Sequence, residues 1–370
     1  MAVKAAASAG LQAAGGPAGP QIRRVGELDG VRAIAIWLVL AVHITIRGDA
    51  ARVGATLHGP ARAAFLAVDH MWLGVDLFFV LSGFLITGIL LDTKESPTYF
   101  RDFYVRRVLR IVPLVALVLG GLVLVAPGYE AWYAMSAFFL SDLAPLVHVY
   151  GPTGAPPFWS LAVEEQFYLL WPVFVLVLPT RRLVLLAAAI VVGEPLLRLA
   201  LTGSLLEVPW LRSDGLALGA LVAVLVRSAS FSPAAARRIV LFGGAAIGAL
   251  VLVELALRDA ALSGALRLSE ADLLFALVIV ASVAWTGSRA GAPLRSRTMR
   301  FFADTSFCVY LIHVPLIVAA DRLGIDAIRE PFVAAVVRAI VVLPLTFALA
   351  AFSYRYFEAP ILRLKRVFAP

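Results

Sequence analysis

The chain has 370 residues, 61% hydrophobic and 15% charged, with a mean hydropathy of +0.92. Soluble domains carry roughly a quarter charged residues, so a soluble fold is excluded and an all-α polytopic membrane protein is expected. The formal charge of +8 comes from basic residues gathered between apolar runs, as membrane topology requires, and is not the footprint of a nucleic-acid binder.

Residues 1–24 are rich in Ala, Gly and Pro and are expected to be a disordered cytoplasmic tail. They hold no compact apolar stretch ending in a small-residue cleavage site, so the first apolar run is expected to be an uncleaved anchor. A membrane domain over 25–360 and a basic cytoplasmic tail over 361–370 complete the division. A bilayer core needs about 20 helical residues. Runs of suitable length lie at 31–47, 72–91, 111–126, 160–178, 182–201, 211–227, 239–257, 271–287, 305–320 and 332–353. An eleventh run, 131–147, contains Asp142 and Pro145 and reads as re-entrant or interfacial. With both termini in the cytoplasm, basic residues inside outnumber those outside more than twofold. The outer segment 127–158 then holds no Lys or Arg.

The first span, LDGVRAIAIWLVLAVH (28–43), ends on a histidine in an apolar run. An ionisable group at that depth is costly and marks a functional site. His43 stands roughly 20 Å along the helix from Asp29, in the outer half. The second span opens GVDLFFVLSGF, which puts Asp76 about one turn from its outer end. His43 and Asp76 can therefore meet at one depth as a base and its orienting carboxylate. A structural hydrogen-bonded pair, or two separately satisfied residues, is the alternative. After it, RDFYVRRVLRIVP places Arg107 and Arg110 three apart on one helix face. Such a pair suits phosphate recognition and equally a stop-transfer anchor.

The fourth span opens FWSLAVEEQFY (158–168). Glu164 and Glu165 beside aromatic rings suit an acceptor hydroxyl or sugar face, or an aromatic belt with a helix-start acid. Arg212-Ser213-Asp214 opens the sixth span and reads as an Arg–Asp pair. SFCVYLIHVPL (306–316) carries a second intramembrane imidazole, His313, which lines the same cavity or bonds backbone near Pro315. The single cysteine, Cys308, allows no intrachain disulfide and packs as a small side chain. The histidines His43, His58, His70, His148 and His313 show no metal-ligand spacing, and no metal site is expected. No Walker motif, dinucleotide fingerprint or nucleophile elbow is present.

Seven pieces in order resemble acyltransferase family 3, membrane proteins that O-acylate surface polysaccharides and some antibiotics: LDGVRAIAIWLVLAVH, GVDLFFVLSGFLIT, RDFYVRRVLRIVP, FWSLAVEEQFYLLWP, RSDGLALGAL, SFCVYLIHVPL and YFEAP. The resemblance covers residues 28–360. It implies ten core helices in the cell membrane and acyl-CoA, with acetyl-CoA the expected form, as a cytoplasmic donor substrate with no bound cofactor. It matches His43 to the family's essential histidine, Asp76 to its proposed acidic partner and Arg107 and Arg110 to the CoA-engaging Arg-x-x-Arg. Arg32 matches the basic residue of the opening motif. Glu164, Glu165, His313 and Glu358 match recurrent positions of less settled role. Ser160, Tyr310, Arg212 and Asp214 lie inside matching motifs and join the acceptor-side or supporting set. The implied acceptor is a hydroxyl on a glycan, glycolipid or glycosylated small molecule. Many relatives carry a fused extracytoplasmic hydrolase-like domain, and none is expected within these 370 residues. Action alone, with a separate extracytoplasmic partner, or on an acceptor reached in the membrane all stay open. A transporter or flippase of a polar lipid-linked sugar is the alternative function. It would release no CoA.

Overall fold

The structure, a computed structural model, describes residues 25–45, 57–201, 208–257, 260–328 and 330–364. The expected tail over 1–24 and most of the basic tail over 361–370 lie outside the described residues. What is described is helical: α1 (Gly26–Thr45), α2 (Gly59–Asp69), α3 (Gly74–Asp92), α4 (Tyr99–Val125), α5 (Glu130–Ala137), α6 (Phe158–Val177), α7 (Thr180–Ala200), α8 (Asp214–Val226), α9 (Pro233–Leu257), α10 (Ala260–Ala284), α11 (Arg297–Arg322), α12 (Pro331–Ser353) and α13 (Ala359–Arg363). A 3₁₀ turn joins α2 to α3, and a π turn, Tyr354–Glu358, joins α12 to α13.

Each of the ten expected spans falls on a helix, and several helices run longer. The third span was expected from 111, yet α4 starts at Tyr99, so Arg107 and Arg110 ride on the helix itself. The ninth was expected from 305, and α11 starts at Arg297 behind a Ser296 cap that accepts the Met299 N–H. Charges ended the expected runs early, but a charged turn remains helical where the helix leaves the apolar layer. Among the described residues eight helical stretches are long and apolar enough to cross a membrane, with α2 and α3 counted as one rod and α12 and α13 as another. This is a multi-pass membrane protein. Of the other two expected spans, α8 has 13 residues and α10 carries Arg267, Glu270 and Asp272. The eleventh run forms only the eight-residue α5 and a 3₁₀ turn, Ala144–Val147, too short to cross.

α1 is the hub and packs on α3, α10, α11 and α12. Both its ends are fastened. At its start Glu27 binds Arg295 and accepts the Gly287 N–H at 2.8 Å. Gly30 lies so close to Leu294 that a Cβ there would stand 2.6 Å from the Leu294 carbonyl oxygen. At its end Arg338 of α12 donates to Ile44 O at 2.7 Å and to Asp321 at 2.8 Å. Small residues bring α3 and α8 together. A Cβ on Gly83 would meet Leu216 O at 1.9 Å, and one on Gly219 would meet Val80 O at 2.1 Å. This close approach fixes the helices that carry Asp76 and Asp214.

Candidate functional site

Arg32 and His43 lie three turns apart on α1, about 16 Å along one face. Along that face three cavities follow one another. The first, about 1370 Å³, is bordered by Asp29, Arg32, Arg106, Arg107 and Arg110. The second, about 730 Å³, shares Arg32, Ser82, Arg107, Arg110 and Tyr168 with the first, so the two are continuous. Ser160, Glu164 and Tyr168, spaced four apart on α6, form one of its walls. The third, about 800 Å³, contains His43, Trp132, Tyr150 and Trp159.

Between the second and third cavities the hydroxyls of Ser160 and Tyr310 bond to each other. Two hydroxyls carry two protons. One makes this bond and the other is left for Pro157 O, 3.2 Å from Ser160 and 3.4 Å from Tyr310.

Among the described residues no carboxylate stands at ion-pair distance from Arg32, Arg107 or Arg110. The ion pairs that join described residues to one another include those of Arg101, Arg198, Arg212, Arg227, Arg295 and Arg338. The Arg107 guanidinium lies over the Tyr168 ring, 5.1 Å from its centre. Three half-buried guanidiniums around one cavity offer the donors that an anion with several phosphate oxygens would take.

The two histidines share a wiring. His43 Nδ1 is 2.8 Å from Val39 O, and His313 Nδ1 is 2.8 Å from Tyr310 O. A carbonyl only accepts, so each Nδ1 carries the proton and each Nε2 carries the lone pair. The rings meet edge to face, 4.9 Å between centres. His313 is fully buried and its Nε2 has no hydrogen-bond partner.

The expected pairing of His43 with Asp76 is not the one the fold makes. Asp76 Oδ1 lies 2.9 Å from Arg212 Nη2, an approach of charges more than an aligned hydrogen bond, and Asp76 Oδ2 is unbonded. A buried carboxylate gains more beside a guanidinium than beside a neutral ring. The same guanidinium lies over Trp72, Phe79 and Trp159. Arg212 and Asp214, expected to pair with each other, take different partners. Asp214 binds Arg198 at 2.6 Å and Ser269 at 2.8 Å.

Glu164, expected near an acceptor at the outer interface, instead faces the second cavity. It lies about 9 Å into α6 by helical rise and accepts from Ser82 at 3.1 Å and Tyr168 at 3.0 Å. Glu165 borders none of the three cavities, and its buried Oε1 is unbonded. Sequence reasoning passed over Ser82, Glu194, Arg198, Asp272 and Arg338. Glu194 and Arg198 could have been found by the rule that singled out His43, since both sit in an apolar run. Asp272 is 2% exposed and neither of its oxygens is bonded.

The model of the acyltransferase-domain family matches residues 25–355. The chain is 28% identical to the peptidoglycan O-acetyltransferase OatA of Listeria monocytogenes, over 91% of this chain and 56% of that protein. It is 29% identical to the putative peptidoglycan O-acetyltransferase YrhL of Bacillus subtilis, over 92% of this chain and 55% of that one. The O-acetyltransferase OatA of Staphylococcus aureus is 24% identical over 90% and 56%. The chain thus spans about half the length of the curated relatives it matches. No solved structure matches.

Proposed function

The chain belongs to acyltransferase family 3, and from that premise we propose that it moves an acyl group from acyl-CoA to a hydroxyl of a glycan-type acceptor. Ten spans with both termini in the cytoplasm put the first cavity at the cytoplasmic face and the third at the outer one. The observation that carries the reading is the line of cavities from three guanidiniums without ion-pair partners to His43. Arg32, Arg107 and Arg110 would hold the CoA phosphates at the inner mouth. An extended pantetheine arm of about 20 Å is longer than the rise of about 16 Å from Arg32 to His43 and so can span it. The thioester would then lie at the Ser160–Tyr310 contact, which must part for it to meet the acceptor.

His43 acts as general base. Its Val39 carbonyl partner, and not Asp76, holds Nε2 ready to accept the proton. The acceptor oxygen bonds to the acyl carbon, the carbon–sulfur bond breaks, and the proton passes from His43 to the CoA sulfur. His313 packs against the ring, and Asp76 positions Arg212. Acetyl is the expected group, since the relatives from Listeria monocytogenes, Bacillus subtilis and Staphylococcus aureus are named as O-acetyltransferases.

The test is His43→Ala in membranes supplied with labelled acetyl-CoA. The variant should keep acyl-CoA binding and lose transfer by about 100-fold or more, the contribution of a general base. Wild-type transfer by the variant would sink the proposal. Wild-type binding without CoA release under any acceptor would favour a transporter.

A further inference from the structure

Two hydroxyls stand between the arginine side of the line of cavities and the histidine side. Ser160 and Leu161 of α6 border the second cavity, and the residues just before them, Pro157, Phe158 and Trp159, border the third. The first turn of α6 is therefore the partition. Tyr310 of α11 completes it and borders the second cavity with Ser160. Both side chains belong to the buried interior, Ser160 at 4% and Tyr310 at 8% exposure. The Tyr310 ring lies 5.8 Å from the His313 ring and 6.2 Å from Phe78, and His313 packs edge to face on His43.

The protons of this pair are loosely committed. Beyond their mutual bond the two hydroxyls share one acceptor, Pro157 O, at 3.2 Å from Ser160 and 3.4 Å from Tyr310. Strong bonds between oxygens are shorter, about 2.7–2.8 Å. Glu164, one turn further along the same wall, claims neither proton, because it takes its own from Ser82 and Tyr168. An oxygen with two lone pairs, seated against the contact, can accept from both hydroxyls at once. The helix adds to this. No side chain caps the start of α6, so the positive end of its dipole is left at the partition.

We propose that Ser160 and Tyr310 are catalytic residues, the two oxyanion donors of acyl transfer. The assignment rests on the acyl-transfer reading and adds to it the groups that hold the transition state. The acceptor hydroxyl gives its proton to His43 Nε2 and its oxygen bonds to the acyl carbon. The π pair of the thioester carbonyl moves onto the carbonyl oxygen, which accepts from Ser160 and Tyr310 in place of their mutual bond. When the carbonyl re-forms, the carbon–sulfur pair leaves with the sulfur, and the sulfur receives the proton from His43. Neither hydroxyl gains or loses a proton. Donors of this kind act best where water is scarce and they are already aimed, and the burial of both side chains supplies that setting.

The experiment uses the purified full chain in detergent and acetyl-CoA isotopically labelled at its carbonyl carbon. Infrared difference spectra of the bound thioester read the hydrogen bonds on that oxygen. The wild-type carbonyl band should stand below that of a simple thioester in an apolar solvent. Tyr310→Phe and Ser160→Ala should each move it back up, and the double variant should move it furthest. With triacetylchitotriose as the acceptor probe, Tyr310→Phe should lower kcat about 100-fold or more, the worth of one oxyanion donor. The acetyl-CoA dissociation constant should stay within about twofold of wild type. Ser160→Thr, which keeps the hydroxyl, should recover most of the kcat lost in Ser160→Ala. A partition that only gates the passage gives the opposite split: kcat holds, KM changes and the band stays put. That result, or a band unmoved in the double variant, overturns the proposal. The infrared arm needs no acceptor and decides by itself if chitotriose is not taken. A wild-type chain that binds no acetyl-CoA fails the acyl-transfer reading itself, whereas a bound thioester with one band in every variant fails this assignment alone.

Discussion

Asp76 and Arg212 offer the sharpest separation between what the motifs suggest and what the fold builds. Their side chains are 3% and 2% exposed, and their charges stand 2.9 Å apart. Removing one partner from such a pair strands a buried charge and costs about 3–5 kcal/mol. Asp76→Asn and Arg212→Met should each lower thermal stability in detergent by that order. The double variant removes both charges together and leaves Met to pack on Trp72, Phe79 and Trp159. It should be less damaged than the sum of the singles, with a coupling of about 2 kcal/mol or more. Activity decides the role. With His43 oriented by Val39 O, the double variant should recover transfer to within about tenfold of wild type, since its base is intact. If Asp76 orients His43, the double variant folds but stays as inactive as His43→Ala. That result, or a coupling below about 0.5 kcal/mol, would refute the reasoning.

Three further outcomes follow from the geometry. Arg107→Ala and Arg110→Ala should each weaken acyl-CoA binding about tenfold or more, the worth of a charge-assisted hydrogen bond, while Arg→Lys at either site recovers only part of it; titration of labelled acyl-CoA onto the purified protein reads both. His313→Phe keeps an aromatic edge against His43 and removes a buried orphan nitrogen, so the melting temperature should hold or rise while kcat falls, and an unchanged kcat would confine His313 to packing. Gly83→Ala and Gly219→Ala force backbones apart that now touch, so each should cut the yield of folded protein in membranes, as gel filtration would register.

What the sequence made legible was whatever follows from hydropathy and helical period. The ten apolar runs, the place of Arg107 and Arg110 on one face and the failure of 131–147 to cross are all of that kind. Helix starts were less legible because hydropathy marks where apolar character begins, and α4 begins twelve residues before its expected start of 111. The partners of buried charges were not legible at all. Spacing put His43 and Asp76 at one depth, but depth says nothing of rotation about a helix axis, and it was Arg212, 136 positions along the chain from Asp76, that filled the place beside the carboxylate. Glu164 was misplaced for the same reason. Its neighbours Ser82 and Tyr168 decide its side, and Ser82 arrives from another helix.

The remaining buried charges follow from the length of α8. With 13 residues it rises about 20 Å, short of the roughly 30 Å of a bilayer core. Its start is buried in the bundle, with Arg212 2% and Asp214 3% exposed, where an irregular backbone has no water to bond. The charged side chains supply what water cannot. Arg198 donates to Leu211 O at 2.8 Å and to Ala265 O at 3.1 Å, and Glu194 accepts the Asp214 N–H at 2.8 Å. Asp214 in turn neutralises Arg198. Gly215 is packed against Asp272, where a Cβ would stand 2.7 Å from Oδ1. A helix that ends inside the bundle needs such a collar, and the collar leaves Arg212 at its edge to reach across to Asp76. The motif RSDGLALGAL thus serves the site at one remove. It holds α3 through Gly219 and the ion pair, and α3 holds Ser82 and Phe78 on the wall of the second cavity.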